Sequence, residues 1–161
     1  SQYDPWLRYD PDAGKWRLVY ANPYGAIVLA ENSEMATTGW TEVASFSSER
    51  IEGPKFVKVN GKLYVAIADK VNGMSYLDYP TLMNRRTLSV DRFPHVGDSP
   101  PHPAIAAVPS SEMTKYLLIS FDRAEGMSHT PNSWGNMWVY EGDEVAEGYE
   151  NPIVRIAKFS R

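Results

Sequence analysis

The feature that most constrains this 161-residue chain is a repeat marked by evenly spaced prolines. Pro5 and Pro54 are 49 residues apart, and Pro54 and Pro103 are again 49 residues apart. Each proline opens a short apolar run, and a second apolar run follows after a turn. The second runs begin at Lys15, Lys62 and Lys115. Self-similarity at a period of roughly 20 to 50 residues predicts an array of similar supersecondary units.

Each repeat contains four short runs rich in β-branched and aromatic residues, separated by Gly, Pro, Asn and Asp. This pattern is typical of strands joined by tight turns. The strands predicted in the first repeat are Trp6–Tyr9, Lys15–Ala21, Ala26–Glu31 and Thr41–Ser45. Those predicted in the second are Pro54–Val59, Lys62–Ala68, Met74–Tyr79 and Leu88–Val90. Those predicted in the third are Ala104–Val108, Tyr116–Phe121, Asn136–Glu141 and Ile153–Lys158.

Two local signals refine this prediction. Asn60-Gly61 separates two apolar runs and is the preferred pair for a two-residue hairpin turn. No stretch of a dozen residues keeps a 3.6-residue apolar period, so long helices are not expected. The segment Ser33–Thr38 is predicted as one short turn of helix.

Four-stranded units at this spacing predict an all-β, propeller-type domain over residues 1–161, with repeats at about 4–50, 51–99 and 100–161. Closed propellers need about 4 to 8 blades, so three repeats predict a partial propeller within a larger assembly. The expected partner is a second copy or a companion chain that covers the open sheet faces. The alternative is a β-sandwich in which the proline spacing is a coincidence.

Composition excludes several classes of function. The net charge is −4, and the lysines and arginines are dispersed, so nucleic acid is not an expected partner. No apolar run approaches the ~20 residues that span a bilayer, so no membrane partner is expected. The chain has no cysteine, which excludes disulfides, zinc thiolates and cysteine nucleophiles. Its first residues lack the basic and apolar regions of a signal peptide. The sequence does not determine the cellular compartment, although a secreted or periplasmic bacterial protein is favoured.

Polar residues stand at the start of each repeat, where the innermost strands of a propeller converge. These residues are Asp4, Glu52 and His102. Two carboxyl groups near one another suit hydrolysis of a glycosidic bond, because one protonates the leaving oxygen and the other activates water or stabilises charge. Their separation, ~6.5–9.5 Å for inversion and ~5–5.5 Å for retention, is left open.

The segments Asp4-Pro5, Gly14 to Tyr20 and Glu52 to Tyr64 resemble the five-bladed propeller glycosidases of the arabinanase, arabinofuranosidase and β-xylosidase type. The likeness covers roughly residues 4–70. It implies that Glu52, in its Glu-Gly-Pro context, is the general acid. It also implies a set of three carboxylates, in which Asp4 is either the residue that tunes the acid or the base. In that family the three carboxylates lie on three blades, whereas Asp4 and Glu52 are only one repeat apart. The resemblance therefore implies that this chain carries an incomplete set of catalytic carboxylates.

Each candidate also has a structural interpretation. Asp4 can accept backbone hydrogen bonds before Pro5, and His102 can be structural or contact a sugar or an ion. Trp6 and Trp134, the latter in a predicted polar loop, can stack on a sugar ring or fill the blade. Asn22, Asp69 and Asp122 recur seven residues after the lysines and are predicted to serve turns or strand ends. Tyr20, Tyr64 and Tyr116 are predicted core residues.

The sequence therefore predicts a glycoside hydrolase acting on arabinose- or xylose-type side chains of polysaccharides, with Glu52 as acid and Asp4 as its partner. Carbohydrate is the expected ligand, and no cofactor is predicted beyond a possible structural calcium ion held by His and carboxylates. A propeller module that binds carbohydrate or assembles without hydrolysis is the competing hypothesis. A purely structural β domain is the third.

Overall fold

A computed structural model describes residues 3–48, 51–59, 62–69, 73–87, 104–109, 114–123, 134–144 and 153–159. For residues 104–159 the description covers the strands and their pairing. The described residues form strands, turns and irregular segments and no helix. The fold is all-β, and all of its described strand pairs are antiparallel.

Three four-stranded sheets follow one another along the chain, and in each the strands are adjacent in chain order. The first sheet contains β1 (Tyr3–Asp10), β2 (Lys15–Ala21), β3 (Ala26–Asn32) and β4 (Thr41–Ser47). The second contains β5 (Ile51–Val59), β6 (Lys62–Asp69), β7 (Gly73–Asp78) and β8 (Arg86–Thr87). The third contains β9 (Ala104–Pro109), β10 (Thr114–Arg123), β11 (Trp134–Glu144) and β12 (Ile153–Phe159).

The predicted strands match these elements closely, and the main difference in position lies in the second sheet. In the second sheet β8 lies at Arg86–Thr87, ahead of the predicted Leu88–Val90, which lies outside the described residues. The predicted hairpin is confirmed by the pairing of Val59 with Lys62, which leaves a two-residue connection. The turn residues 60 and 61 themselves lie outside the described ranges.

The helical turn predicted at Ser33–Thr38 is wrong. These residues form bends between β3 and β4, held by the side chain of Asn32. The Asn32 amide donates to the carbonyl oxygen of Thr38 at 2.9 Å, and its Oδ1 accepts from the N–H of Glu34 at 3.1 Å. Side-chain bonds of this kind satisfy the backbone locally and compete with helix formation.

The core lies between the first and second sheets. Its buried apolar residues are Val19, Ala21, Ile27, Leu29, Ile51, Val65, Ile67, Leu77 and Leu82. Their positions follow from the pleat, because alternate residues of each strand point to the same side of the sheet. Complete burial of a side chain such as Ile27 or Leu29 contributes about 1.5 to 3 kcal/mol.

Two tyrosines predicted in the core lie outside it. Tyr20 and Tyr64 are half-buried, and neither belongs to the cluster between the two sheets. Tyr64 instead packs edge-to-face on Tyr76, with ring centroids 5.4 Å apart. Tyr116 is a residue of β10, for which only strand pairing is described.

The strand β5 occupies the middle of the described structure. It packs against β1, β2 and β3 of the first sheet and also against β9 of the third. The described residues contain no extensive contact between the first and third sheets, so the three sheets do not close on one another. Among these residues there is also no helix long and apolar enough to cross a membrane.

Candidate functional site

The strands β1 and β5 carry the same irregularity at the same place. The ladder between β1 and β2 shifts register around Asp4-Pro5, and the ladder between β5 and β6 shifts around Gly53-Pro54. Proline has no N–H to donate to a ladder, so a break at each proline is expected. The residue before each proline has positive φ, 50° for Asp4 and 60° for Gly53. The 49-residue spacing therefore marks a shared bulge in the first two sheets.

The bulge shows that one prediction is wrong. The sequence analysis treats Asp4 and Glu52 as equivalent starts of successive strands, but the structural equivalent of Asp4 is Gly53. The reason is that the prolines fix the register, and Asp4 and Gly53 each stand directly before one. Asp4 and Glu52 are therefore not the same position used twice, and their carboxyl groups have different surroundings.

The two strand starts are joined by a hydrogen bond. The backbone N–H of Gly53 donates to Oδ2 of Asp4 at 3.2 Å. That N–H belongs to the peptide group that links Glu52 to Gly53. The structure thus brings Asp4 to the backbone of the Glu-Gly-Pro segment. The bond reaches the next sheet, whereas the structural interpretation of Asp4 placed it within its own turn.

Glu52 and Lys55 flank the bulge of β5. Glu52 is half-buried and pairs with Ala68 in the ladder. Lys55 is also half-buried, and burial lowers the pKa of its ammonium group, while the negative charge of Asp4 opposes that shift. The site therefore combines an exposed carboxylate, a half-buried carboxyl group and a half-buried amine within one pair of strand starts.

The three other predicted site residues are placed differently from one another. Trp6 lies in β1 two residues after Asp4, with 46% of its surface exposed, so its ring is accessible to a flat ligand. Trp134 was predicted in a loop, and this is wrong, because it begins β11 and pairs with Arg123. His102 lies outside the described residues.

Asn22 has the structural role that its recurrence predicted. Its Oδ1 accepts hydrogen bonds from the N–H groups of Tyr24 and Ala26, each at 3.0 Å, and so shapes the turn between β2 and β3. Asp69 pairs with Ile51 and Gly73 at the end of β6. Asp122 lies in β10, where only strand pairing is described.

A second polar cluster, which the sequence analysis missed, lies where the first two sheets meet. Asp10 and Arg17 are 6% and 7% exposed, and Arg17 Nε lies 3.7 Å from Asp10 Oδ2. The guanidinium group of Arg17 also pairs with Glu31, and Lys15 pairs with the same carboxylate. From the turn that follows β7, the Tyr79 hydroxyl group donates to Asp10. The sequence signal was weak, since it consists only of charged residues within apolar strands.

The pKa values of Asp10 and Tyr79, two members of this polar cluster, depend on the contact between the first two sheets. Burial alone would raise the pKa of Asp10, but hydrogen bonds from Tyr79 and from two backbone N–H groups outweigh it and lower the pKa. Burial and the hydrogen bond to Asp10 raise the pKa of Tyr79. Arg17 Nε has no hydrogen-bond partner among the described atoms. The cluster joins two sheets and is far more buried than a site open to substrate.

In the part of the chain that the structure describes, no group of three or more His, Asp or Glu side chains is arranged to hold a metal ion. His102, which the sequence analysis considered as a structural residue or as a contact for a sugar or an ion, lies outside that part.

Comparisons of the whole chain with protein-family models, curated proteins and solved structures give no match.

Proposed function

We propose that this chain is part of a propeller-type glycoside hydrolase that acts on arabinose- or xylose-type side chains of polysaccharides. Glu52 is the proposed general acid, and Asp4 is its partner. The observation that carries the proposal is the hydrogen bond between Asp4 and the Gly53 N–H, because it holds one carboxylate beside the residue that the resemblance assigns as acid.

The propeller architecture is part of this proposal. It is supported by the three successive four-stranded sheets and by the packing of β5, the first strand of its sheet, against both β1 and β9. In a propeller the first strands of successive blades line the axis, so residues at their starts converge on one mouth. Asp4 and Glu52 stand at such starts.

The proposed chemistry is acid-catalysed cleavage of a glycosidic bond. Glu52 protonates the leaving oxygen, and a carboxylate activates water or stabilises the oxocarbenium-like transition state. A general acid must keep its proton at the working pH, and a neighbouring negative charge favours the protonated form. Asp4 is the proposed source of that charge, and the exposed ring of Trp6 offers a stacking surface for a sugar.

A carbohydrate-binding module without hydrolysis is the second candidate. It is favoured by the same bond, because an Asp4 oxygen engaged by a backbone N–H already has a structural use. The exposed ring of Trp6 suits a binding surface equally well. The two candidates differ in what the loss of the Glu52 carboxyl group does.

The deciding experiment is hydrolysis of aryl arabinofuranosides, xylosides and galactosides by the purified chain and by its Glu52→Gln variant. If Glu52 is the general acid, kcat falls by about 100- to 10,000-fold while sugar affinity stays nearly unchanged. Glu42→Gln is the matched control, since Glu42 is an exposed residue of β4, and it is expected to retain full activity.

Two results would count against hydrolysis. Turnover that survives in Glu52→Gln would remove Glu52 from the chemistry. Absence of turnover on every substrate, together with calorimetric binding of arabinan or xylan oligosaccharides that Trp6→Ala weakens, would establish the binding module instead.

A further inference from the structure

The guanidinium group of Arg8 has no carboxylate partner among the described residues. Arg8 is a half-buried residue of β1 and lies directly opposite Arg17 of β2 in the ladder. Arg17 pairs with Glu31 and lies near Asp10, so its charge is balanced. The charge of Arg8 is not, and a guanidinium group in that state is a binding group for an anion.

Two contacts hold the Arg8 side chain between the first two sheets. Its guanidinium carbon lies 5.7 Å from the centre of the Phe56 ring of β5, a distance at which a cation and an aromatic face attract each other. Its Nε–H donates to the carbonyl oxygen of Tyr9 at 3.4 Å. The two terminal NH₂ groups make no hydrogen bond within the described structure. The side chain is therefore held in place while its bidentate donors stay available.

Arg8 and Trp6 lie on the same side of β1, two residues apart. Trp6 pairs with Val19 of the core and Arg8 pairs with Arg17, so both positions face the second sheet. Such neighbours are about 7 Å apart along a strand. Asp4 stands at the start of the same strand, before Trp6. A sugar stacked on the exposed ring of Trp6 therefore has Asp4 on one side and Arg8 on the other.

The local charge around Arg8 favours an anion, although the whole chain has a net charge of −4. The charged side chains of this end of the first sheet are three cations and two carboxylates, namely Arg8, Lys15, Arg17, Asp10 and Glu31. Lys15 and Arg17 are matched by the two carboxylates, so the charge of Arg8 is the excess. A neutral sugar leaves this excess unused, whereas a carboxylate forms charge-assisted hydrogen bonds with it, which are roughly twice as strong as neutral ones.

We propose that Arg8 binds the carboxylate of an acidic sugar, a hexuronate residue whose ring stacks on Trp6. The planar guanidinium group offers two parallel N–H donors to the two carboxylate oxygens. The arabinose- or xylose-type residue then lies on the Asp4 side of the hexuronate. The preferred ligand is an acidic polysaccharide instead of a neutral arabinan or xylan. This inference rests on the proposed carbohydrate ligand and holds equally for the hydrolase and for the binding module.

The test is calorimetric binding of two matched ligands to the purified chain. The first is a xylo-oligosaccharide that carries a glucuronic acid residue, and the second is the same oligosaccharide after reduction of its carboxyl group to a primary alcohol. The acidic ligand is expected to bind about 10- to 100-fold more tightly, the range for hydrogen bonds to a charged group. This preference is expected to decrease as the salt concentration rises.

Two variants and a control assign the preference to Arg8. Arg8→Gln is expected to bind both ligands with the affinity of the reduced one. Arg8→Lys keeps the charge but loses the planar fork, so it is expected to keep only part of the preference. Lys62→Gln is the matched control, because it removes one positive charge from a residue of β6 that pairs with Asp78, and it is expected to keep the full preference.

The possible failures are distinguishable. Equal binding of the two ligands by the unmodified chain would overturn this inference and leave the proposed carbohydrate ligand in place. A preference that survives in Arg8→Gln, or one that Lys62→Gln also loses, would overturn it too, because the carboxylate would then be recognised elsewhere or by net charge. Binding of neither ligand would overturn the inference together with the proposed carbohydrate ligand.

Discussion

At the scale of single residues, Asp10 shows how the contact between sheets sets the chemistry of a side chain. Its carboxylate is buried beside Arg17 of its own sheet and accepts a hydrogen bond from Tyr79, in the turn that follows β7 of the next sheet. Burial opposes the charge of this carboxylate, and its partners favour that charge. Sequence reasoning did not find this cluster, since a pairing between residues 69 positions apart depends on how two sheets are stacked.

Replacing Tyr79 by Phe is expected to lower the free energy of unfolding by about 1.5 to 3 kcal/mol, the range for a hydrogen bond to a charged group. Urea denaturation at neutral pH measures this change. Tyr24→Phe is the control, because Tyr24 is 90% exposed, and no change in stability is expected from it. Equal stability of the two variants would contradict the role of the Tyr79 hydroxyl group.

The same pair predicts how stability depends on pH. The pKa of Asp10 is below its usual 3.8 in the folded chain, so its contribution is present above that pH and is lost as the pH falls below it. The pKa of Tyr79 is above its usual 10.0, so stability is also lost as the pH rises beyond 10. Tyr79→Phe is expected to remove the part of the stability loss above pH 10 that is due to Tyr79. It is also expected to reduce the loss of stability at acid pH, because the Asp10 carboxylate no longer accepts the Tyr79 hydrogen bond. Urea denaturation from pH 2 to 11 measures both changes.

At the scale of the elements, the strands were predictable and the site only in part. The strands were predictable from short runs of β-branched and aromatic residues between turn residues, because such side chains fit the pleated surface of a sheet. The proline period located the two bulges. The same period matches Asp4 with Gly53, and the prediction that paired Asp4 with Glu52 was wrong because it matched the residues by their carboxyl groups instead of by their distance from the proline. The short helical turn predicted at Ser33–Thr38 is wrong because hydrogen bonds from the side chain of Asn32 to the backbone hold this segment in a non-helical conformation.

The bulge of β5 gives a prediction at this scale. Gly53 is buried and has φ of 60°, a conformation that costs an L-residue roughly 1 to 2 kcal/mol. Gly53→Ala is therefore expected to lower the free energy of unfolding by at least that amount. Gly14→Ala is the control, because Gly14 has a similar φ of +63° but nothing within 4 Å of an added methyl group. A smaller loss for Gly53 than for Gly14 in thermal denaturation would contradict this account of the bulge.

At the scale of the whole molecule, the first two sheets depend on one another, because each contributes one wall of the same core. Leu29→Ala is expected to destabilise the chain by about 2 to 5 kcal/mol, since Leu29 is completely buried between the sheets. Val43→Ala is the control at a residue that is 44% exposed, and a loss below about 0.5 kcal/mol is expected. Similar losses in the two variants, measured by chemical denaturation, would show that the core does not lie between these sheets.

The shared core also has a consequence for local opening. Neither of these sheets can separate from the other without exposing Val19, Leu29, Val65 and Ile67 together. The amide protons of β2 and β6 are therefore expected to exchange with solvent deuterium as a single cooperative unit with one opening free energy. The amides of β4, whose residues are mostly exposed, are expected to exchange earlier and independently. The first two sheets thus behave in exchange as one folding unit, although the chain forms them as two successive sets of strands.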